Sequence, residues 1–234
     1  MPVTSAKLLF VVFLVVQSCN TSAIDDANAA LNGLRENVNN GLSDALKTGY
    51  TAMAQKIDSI IELTRSNGSE VISSTSDTYL AQYQAIKKSA EDSGLDVSSC
   101  VAIFEEKLTN LASVNINGLL DCVDTQTDPC IDYIGTSSST LLGNFLSQVF
   151  AFEKEVLKCK DDACLTSVTG EISRTSASVL SKINYSVQVD ASKMQYYEST
   201  VTTCGVKFTS IADGQGKSYV NGFQDCVNSL INKM

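Results

Sequence analysis

Cysteine is the residue type in this chain with the most chemistry to offer, and its spacing is ordered. Cys100 and Cys204 each open the pattern Cys-x3-Phe-x12-Asn-Gly-x2-Asp-Cys-Val, which closes on Cys122-Val123 and on Cys226-Val227. The matched pairs are Cys100/Cys204, Phe104/Phe208, Asn117/Asn221, Gly118/Gly222, Asp121/Asp225, Cys122/Cys226 and Val123/Val227. All share one offset of 104 residues (Cys100 to Cys204) without a gap. Val97-Ser98-Ser99 answers Val201-Thr202-Thr203 at the same offset. A constant offset over chemically distinct positions predicts an internal duplication.

Of the eight cysteines, Cys19 sits in an apolar N-terminal stretch, leaving Cys100, Cys122, Cys130, Cys159, Cys164, Cys204 and Cys226 as disulfide candidates. In an oxidising compartment most should pair, and the odd number leaves one thiol free or bonded to another chain. Zinc is not expected. The closest pair is Cys159-x4-Cys164, and the chain has no histidine to complete a tetrahedral set. If each motif is a continuous helix, its two cysteines lie six turns and about 33 Å apart, too far to bond each other. Each then ties one helix end to a neighbour. A hairpin within the motif would instead allow Cys100 to Cys122 and Cys204 to Cys226, but the apolar stripe keeps its phase across the first copy and favours the continuous helix. Bridges across the turns flanked by Cys122 and Cys130, and by Cys159 and Cys164, are open, as is a link from Cys226 to Cys159 or Cys164.

Other residues with chemical potential read as structural. Asn117 and Asp121, like Asn221 and Asp225, form an i, i+4 polar pair suited to hydrogen bonding between helices, and two ligands per copy are too few for calcium. Gly118 and Gly222 lie on the apolar stripe, where a missing side chain lets helices approach. Without histidine, the Ser-His-Asp and Cys-His arrangements are excluded. Glu105-Glu106 and Asp161-Asp162 read as solvated charge and caps. Gly214-Gln215-Gly216-Lys217-Ser218 lacks the spacing of a phosphate-cradling loop. No catalytic, cofactor-binding or metal-binding residue is expected, and the chain is read as a non-enzyme.

The elements that must carry these residues are helices. Residues 1–23 read as a secretory signal peptide, with Lys7, an apolar run over Leu8 to Val16, and Thr21-Ser22-Ala23 at the cleavage positions. Nine apolar residues are too short to cross a bilayer, which takes about 20. Removing the signal takes Lys7 and no acid from a chain of 17 basic and 26 acidic residues and formal charge −9, so the mature charge is −10. Such a surface should repel nucleic acid and anionic membrane. Two glycosylation sequons follow, at Asn67-Gly68-Ser69 and Asn184-Tyr185-Ser186.

Apolar residues then recur at threes and fours. Ala27, Leu31, Leu34, Val38, Leu42, Ala45, Met53, Ile57 and Ile60 predict a first helix, stopped at Asn67-Gly68. Val71, Tyr79, Tyr83, Ile86 and Ala90 predict a second, ending near Gly94. Asp96 caps a third, which carries the first motif. Asp128-Pro129 predicts a boundary and the start of a fourth helix. A fifth spans Leu165 to Ile183, and a sixth begins at Asp190 with the second motif, with Gly214 and Gly216 able to bend it. The reading is an all-α, disulfide-stabilised helical bundle of two duplicated three-helix units, 24–124 and 128–232.

A signal peptide, an acidic helical mature region and these cysteine spacings resemble the secreted insect proteins bearing a TsetseEP-type domain. The Glu-Pro repeat tail of that family is absent here. The resemblance implies an extracellular protein, gut or immune-related, and carries over no functional residue. From the residues, the leading expectation is a secreted, non-catalytic glycoprotein acting on a protein or glycan partner through its surface. One rival is a carrier of a small hydrophobic ligand lined by Phe104, Phe145, Phe150 and Phe208. Another is a coiled-coil or filament component joined through the odd cysteine.

Overall fold

Apolar spacing of threes and fours dictates helices, and the computed structural model, which describes the backbone over residues 4–232 and side chains over 22–232, contains no strand among them. The expected signal segment falls, apart from its last two residues, outside the residues whose side chains are described, as does Cys19. Helix α1 (Thr4–Asp44) passes through a π-helical segment (Ala45–Tyr50) directly into α2 (Thr51–Asp92). After a turn come α3 (Ser98–Thr109) and α4 (Leu111–Lys158), and after a second turn α5 (Asp162–Ile231).

The two turns follow from local chemistry. Gly94 adopts φ +78°, a left-handed conformation that favours glycine. Its N–H bonds Glu91 O at 2.9 Å while Leu95 N–H bonds Ala90 O at 3.1 Å, the paired bonds of a Schellman stop. Asp96 stands one residue before the N-cap, which is Val97 and not the aspartate expected; its carboxylate accepts the Ser98 N–H at 2.9 Å, and that bond holds the carboxyl below the usual range. At the second turn Asp161 accepts the Cys164 N–H at 2.8 Å, opening α5.

Several expected boundaries are not boundaries. Gly68 lies inside α2, because a β-carbon there would overlap Leu119; the glycine serves close approach and does not end the helix. Pro129 lies inside α4, and Asp128 is exposed and caps nothing. Buried Val123 and Cys130 on either side of the proline hold the helix in place across a residue that by itself costs about 3 kcal/mol. Asp190 is an interior residue of α5, as are Gly214 and Gly216, the latter receiving the Tyr79 ring. The first motif is helical on both sides of Asn110, whose N–H bonds Glu106 O and whose carbonyl accepts the Val114 N–H, both at 3.0 Å. No hairpin forms within it.

The chain folds into two compact units, Met1–Met53 with Tyr133–Ser192, and Ala54–Asp132 with Lys193–Met234. Each draws on discontinuous stretches, whereas the segments expected from sequence are contiguous. Within the first unit α1 runs parallel to α5, as Asn37 bonds Ser176 and Tyr50 bonds Asp190, and antiparallel to α4, as Arg35 pairs with Glu153 at 2.6 Å. In the second unit α2 lies beside α5 and α3. There Lys56 pairs with Glu198 at 2.7 Å along α5, and Lys87 with Glu105 at 3.0 Å on α3. Leu34, Val38, Ile172, Val179 and Ile183 fill the first core, and Ile57, Ile72, Tyr83, Leu108, Leu119 and Phe223 the second.

Candidate functional site

The repeated cysteine motif is where sequence and geometry converge. In the second unit the two copies lie antiparallel and are cross-linked to each other, Cys100 to Cys226 and Cys122 to Cys204, with both Cα pairs 5.8 Å apart. Neither copy bonds within itself, and neither cysteine of the second copy reaches Cys159 or Cys164. The offset of 104 residues maps the first bridge onto the second, since it carries Cys100 to Cys204 and Cys122 to Cys226. The glycine contacts obey the same exchange. A β-carbon on Gly118 would enter the Phe208 ring, and one on Gly222 would enter the Phe104 ring. Each contact from one copy to the other thus recurs with the roles of the copies exchanged, as in an isologous dimer interface, but within one chain.

Around this clamp the core is aromatic. Phe223 meets Tyr83 edge-on with ring centroids 4.5 Å apart and Phe104 at 6.3 Å, and Lys107 Nζ sits 5.6 Å from the Phe104 centroid. Burial, then the nearby Glu105 and Glu91 charges, pushes the Tyr83 hydroxyl up to about 12. Asn115, also buried, donates to Leu111 O at 2.9 Å and to Gln215 Oε1 at 3.0 Å. The matched Asn117, Asp121, Asn221 and Asp225 are all exposed.

Cys159 and Cys164 pair across the second turn, as one of the open arrangements allowed. Cys130 is the odd thiol. It is fully buried, with Sγ 4.0 Å from Met194 Sδ, and burial, then Glu198 and Asp58, pushes it up to about 11. A thiol held protonated in the interior is a poor nucleophile and cannot join chains without unfolding.

In the first unit a polar clamp escaped the sequence reading. Asp190 accepts hydrogen bonds from Tyr50 and Tyr133 hydroxyls, both at 2.6 Å, joining α5 to the π segment and to α4. Burial and then the Asp190 bond raise the Tyr50 pKa well above its usual range. The π segment makes this geometry: one extra residue in the turn brings Tyr50 inward, and Gly49 meets Val187.

Two kinds of apolar surface are exposed. On α4, Leu141, Val149 and Val156 face the core, while Leu146, Phe150 and Leu157 form an outward row at i, i+4 and i+11, exposed by 37%, 58% and 84%. In the second unit, Ile86, Ala90, Leu95, Val227 and Ile231 line an open cleft of about 620 Å³ beside the first turn. A shallower groove of about 410 Å³ runs between α2 and α5, lined by Leu63, Asn67, Val71 and Val206. The phenylalanines expected to line a ligand pocket serve otherwise: Phe104 and Phe208 fill the glycine notches, Phe150 points to solvent, and Phe145 is partly buried in the first unit. Both sequon residues, Asn67 and Asn184, are exposed.

Among the described residues no cluster of three or more His, Cys, Asp or Glu side chains could hold a metal ion, and no helix is long and apolar enough to cross a membrane. Compared with models of known protein families and with curated protein sequences, the chain matches none.

Proposed function

We propose that this is a secreted, non-catalytic helical protein that acts by binding a protein partner through an exposed helix face. The observation that carries the reading is the outward row Leu146, Phe150 and Leu157 on α4. These residues lie within about 40° of arc on a helix of 3.6 residues per turn, so one flat apolar surface could cover all three. Each such side chain contributes about 1.5–3 kcal/mol when buried, enough together for a specific contact. Three disulfides support an oxidising, extracellular setting, and the resemblance to insect gut secretions suggests where to look. Duplication of an ancestral helical unit is supported by the reciprocal bridges and glycine notches.

The test is site-specific photo-crosslinking of the full chain, recovered from the medium of eukaryotic cells and exposed to extracellular fluid of the source tissue. A crosslinker at Leu157 should trap a defined protein, and Phe150→Asp, which leaves the core untouched, should abolish the adduct. An adduct that survives that change, or one no stronger than from a crosslinker at exposed Tyr185, would reject this face.

A second reading is favoured by the cleft beside the first turn. Its volume lies within the range of about 300–1,000 Å³ typical of small-molecule sites, and its apolar lining would suit an acyl chain. Uptake of a fatty-acid probe at micromolar concentration, lost in Ile231→Asp at an exposed position of the lining, would support carriage; no uptake by delipidated protein would remove it.

A further inference from the structure

We infer that Asn67 is an N-glycosylation site whose sugar covers the apolar groove between α2 and α5. The inference rests on the secretion reading, because only a chain entering a eukaryotic export pathway meets the transferase. Three observations meet at this place. The groove exposes three large aliphatic side chains together, Leu63 at 54%, Val71 at 49% and Val206 at 67%. Asn67 lies on its rim, exposed, and begins the sequon Asn67-Gly68-Ser69. Gly68 occupies the next position and is buried against Leu119, so the helix is seated close to α4 at the point where the sequon turns outward.

The chemistry of the lining fits a sugar. Thr202 and Thr209 at the groove donate their hydroxyls to carbonyls of their own helix, Glu198 O at 2.9 Å and Gly205 O at 2.9 Å. What they leave to an occupant is hydroxyl acceptor capacity beside aliphatic surface. A pyranose presents matching groups, an apolar C–H face and hydroxyl donors at its edge. Because the glycan is covalently tethered at the rim, its effective concentration over the groove is high and weak contacts suffice. The second sequon has no such partner, since Asn184 lines neither groove nor cleft described above.

The experiment expresses the full chain in eukaryotic secretory cells and compares it with Asn67→Gln, Ser69→Ala and Asn184→Gln. The expected result is a chain in the medium that loses one glycan step in electrophoresis on Asn67→Gln, and equally on Ser69→Ala, which keeps the asparagine. Those two variants, and wild-type protein trimmed by a glycosidase under native conditions, should bind a hydrophobic dye several-fold more strongly. Asn184→Gln should leave dye binding unchanged. An exported chain with Asn67 bare would overturn the inference while leaving secretion intact, and retention in the cytosol would overturn both. Occupied Asn67 whose removal leaves dye binding unchanged would show that the glycan does not cover the groove. Wild-type dimers with bare Asn67 would assign the groove to a second copy.

Discussion

Gly118 and Gly222 are each held against an aromatic ring from the opposite motif copy, and this makes them the least replaceable residues of the clamp. Gly118→Ala should destabilise by about 1–3 kcal/mol in urea unfolding, the usual cost of forcing extra volume into a packed site. Phe208→Leu should recover part of that loss in the double variant, and Phe104→Leu should do the same for Gly222→Ala. Purely additive effects would show that the notches do not couple. At Asp190 the expectation is different in kind. Asp190→Asn replaces a charged acceptor of two tyrosine hydroxyls and should cost about 1–3 kcal/mol. That cost should shrink in a Tyr50→Phe background, where one of the two bonds is already gone. Tyr83 offers a contrast: its hydroxyl is buried beside Glu105, and Tyr83→Phe keeps the ring contact with Phe223, so it should shift the melting temperature less than Asp190→Asn does.

Among the elements, α1 and α2 show both how far periodicity reaches and where it stops. The stripe from Ala27 through Ala45, with Met53 and Ile57, is buried as the three-and-four spacing requires. Tyr50 is missed because the buried positions step by five, from Ala45 to Tyr50, the interval of a π turn; that interval was the available signal. Val71 faces out and Ile72 in, one residue from the phase expected there. Asp128-Pro129 and Gly68 are strong local stop signals, but packing on both sides of each outweighs local preference. Bridge partners were beyond the sequence for a simpler reason: they depend on which helices lie side by side and in what register, and spacing alone constrains only which bonds cannot form. The bridges should differ in worth. Loop-closure entropy gives about 4.5 kcal/mol for the 82-residue loop of Cys122–Cys204 against about 2 kcal/mol for the 5-residue loop of Cys159–Cys164. Serine replacements should therefore lower the unfolding midpoint far more at the first pair than at the second. Equal losses would mean that the clamp does not constrain the unfolded chain as proposed.

At the scale of the whole molecule, stability should be asymmetric in pH. Cys130 moves from an ordinary 9.0 up to about 11 on folding. A group whose pKa rises on folding stabilises fully below the unfolded value and loses that contribution as pH climbs through the folded one. Stability should thus hold to about pH 9 and fall towards pH 11, with Tyr83 extending the decline towards its own value of about 12. Cys130→Ala should flatten the first part of that decline, although the cavity it leaves lowers stability at every pH. The buried thiol also makes covalent filament assembly unfavourable. Non-reducing electrophoresis of the protein should show a single-chain band, and a thiol reagent should label Cys130 only after denaturation.

Synthesis proceeds from the N-terminus, and this gives the crossed bridges a consequence in time. When Cys100 and Cys122 emerge from the ribosome their mates Cys226 and Cys204 have not yet been made. Cys130, Cys159 and Cys164 arrive first, each a wrong mate for the waiting pair or, for the last two, a right mate for each other. Oxidation of the clamp therefore has to wait until Cys204 and Cys226 have been made. A pulse-labelled chain should pass through reshuffling species before it reaches the oxidised form.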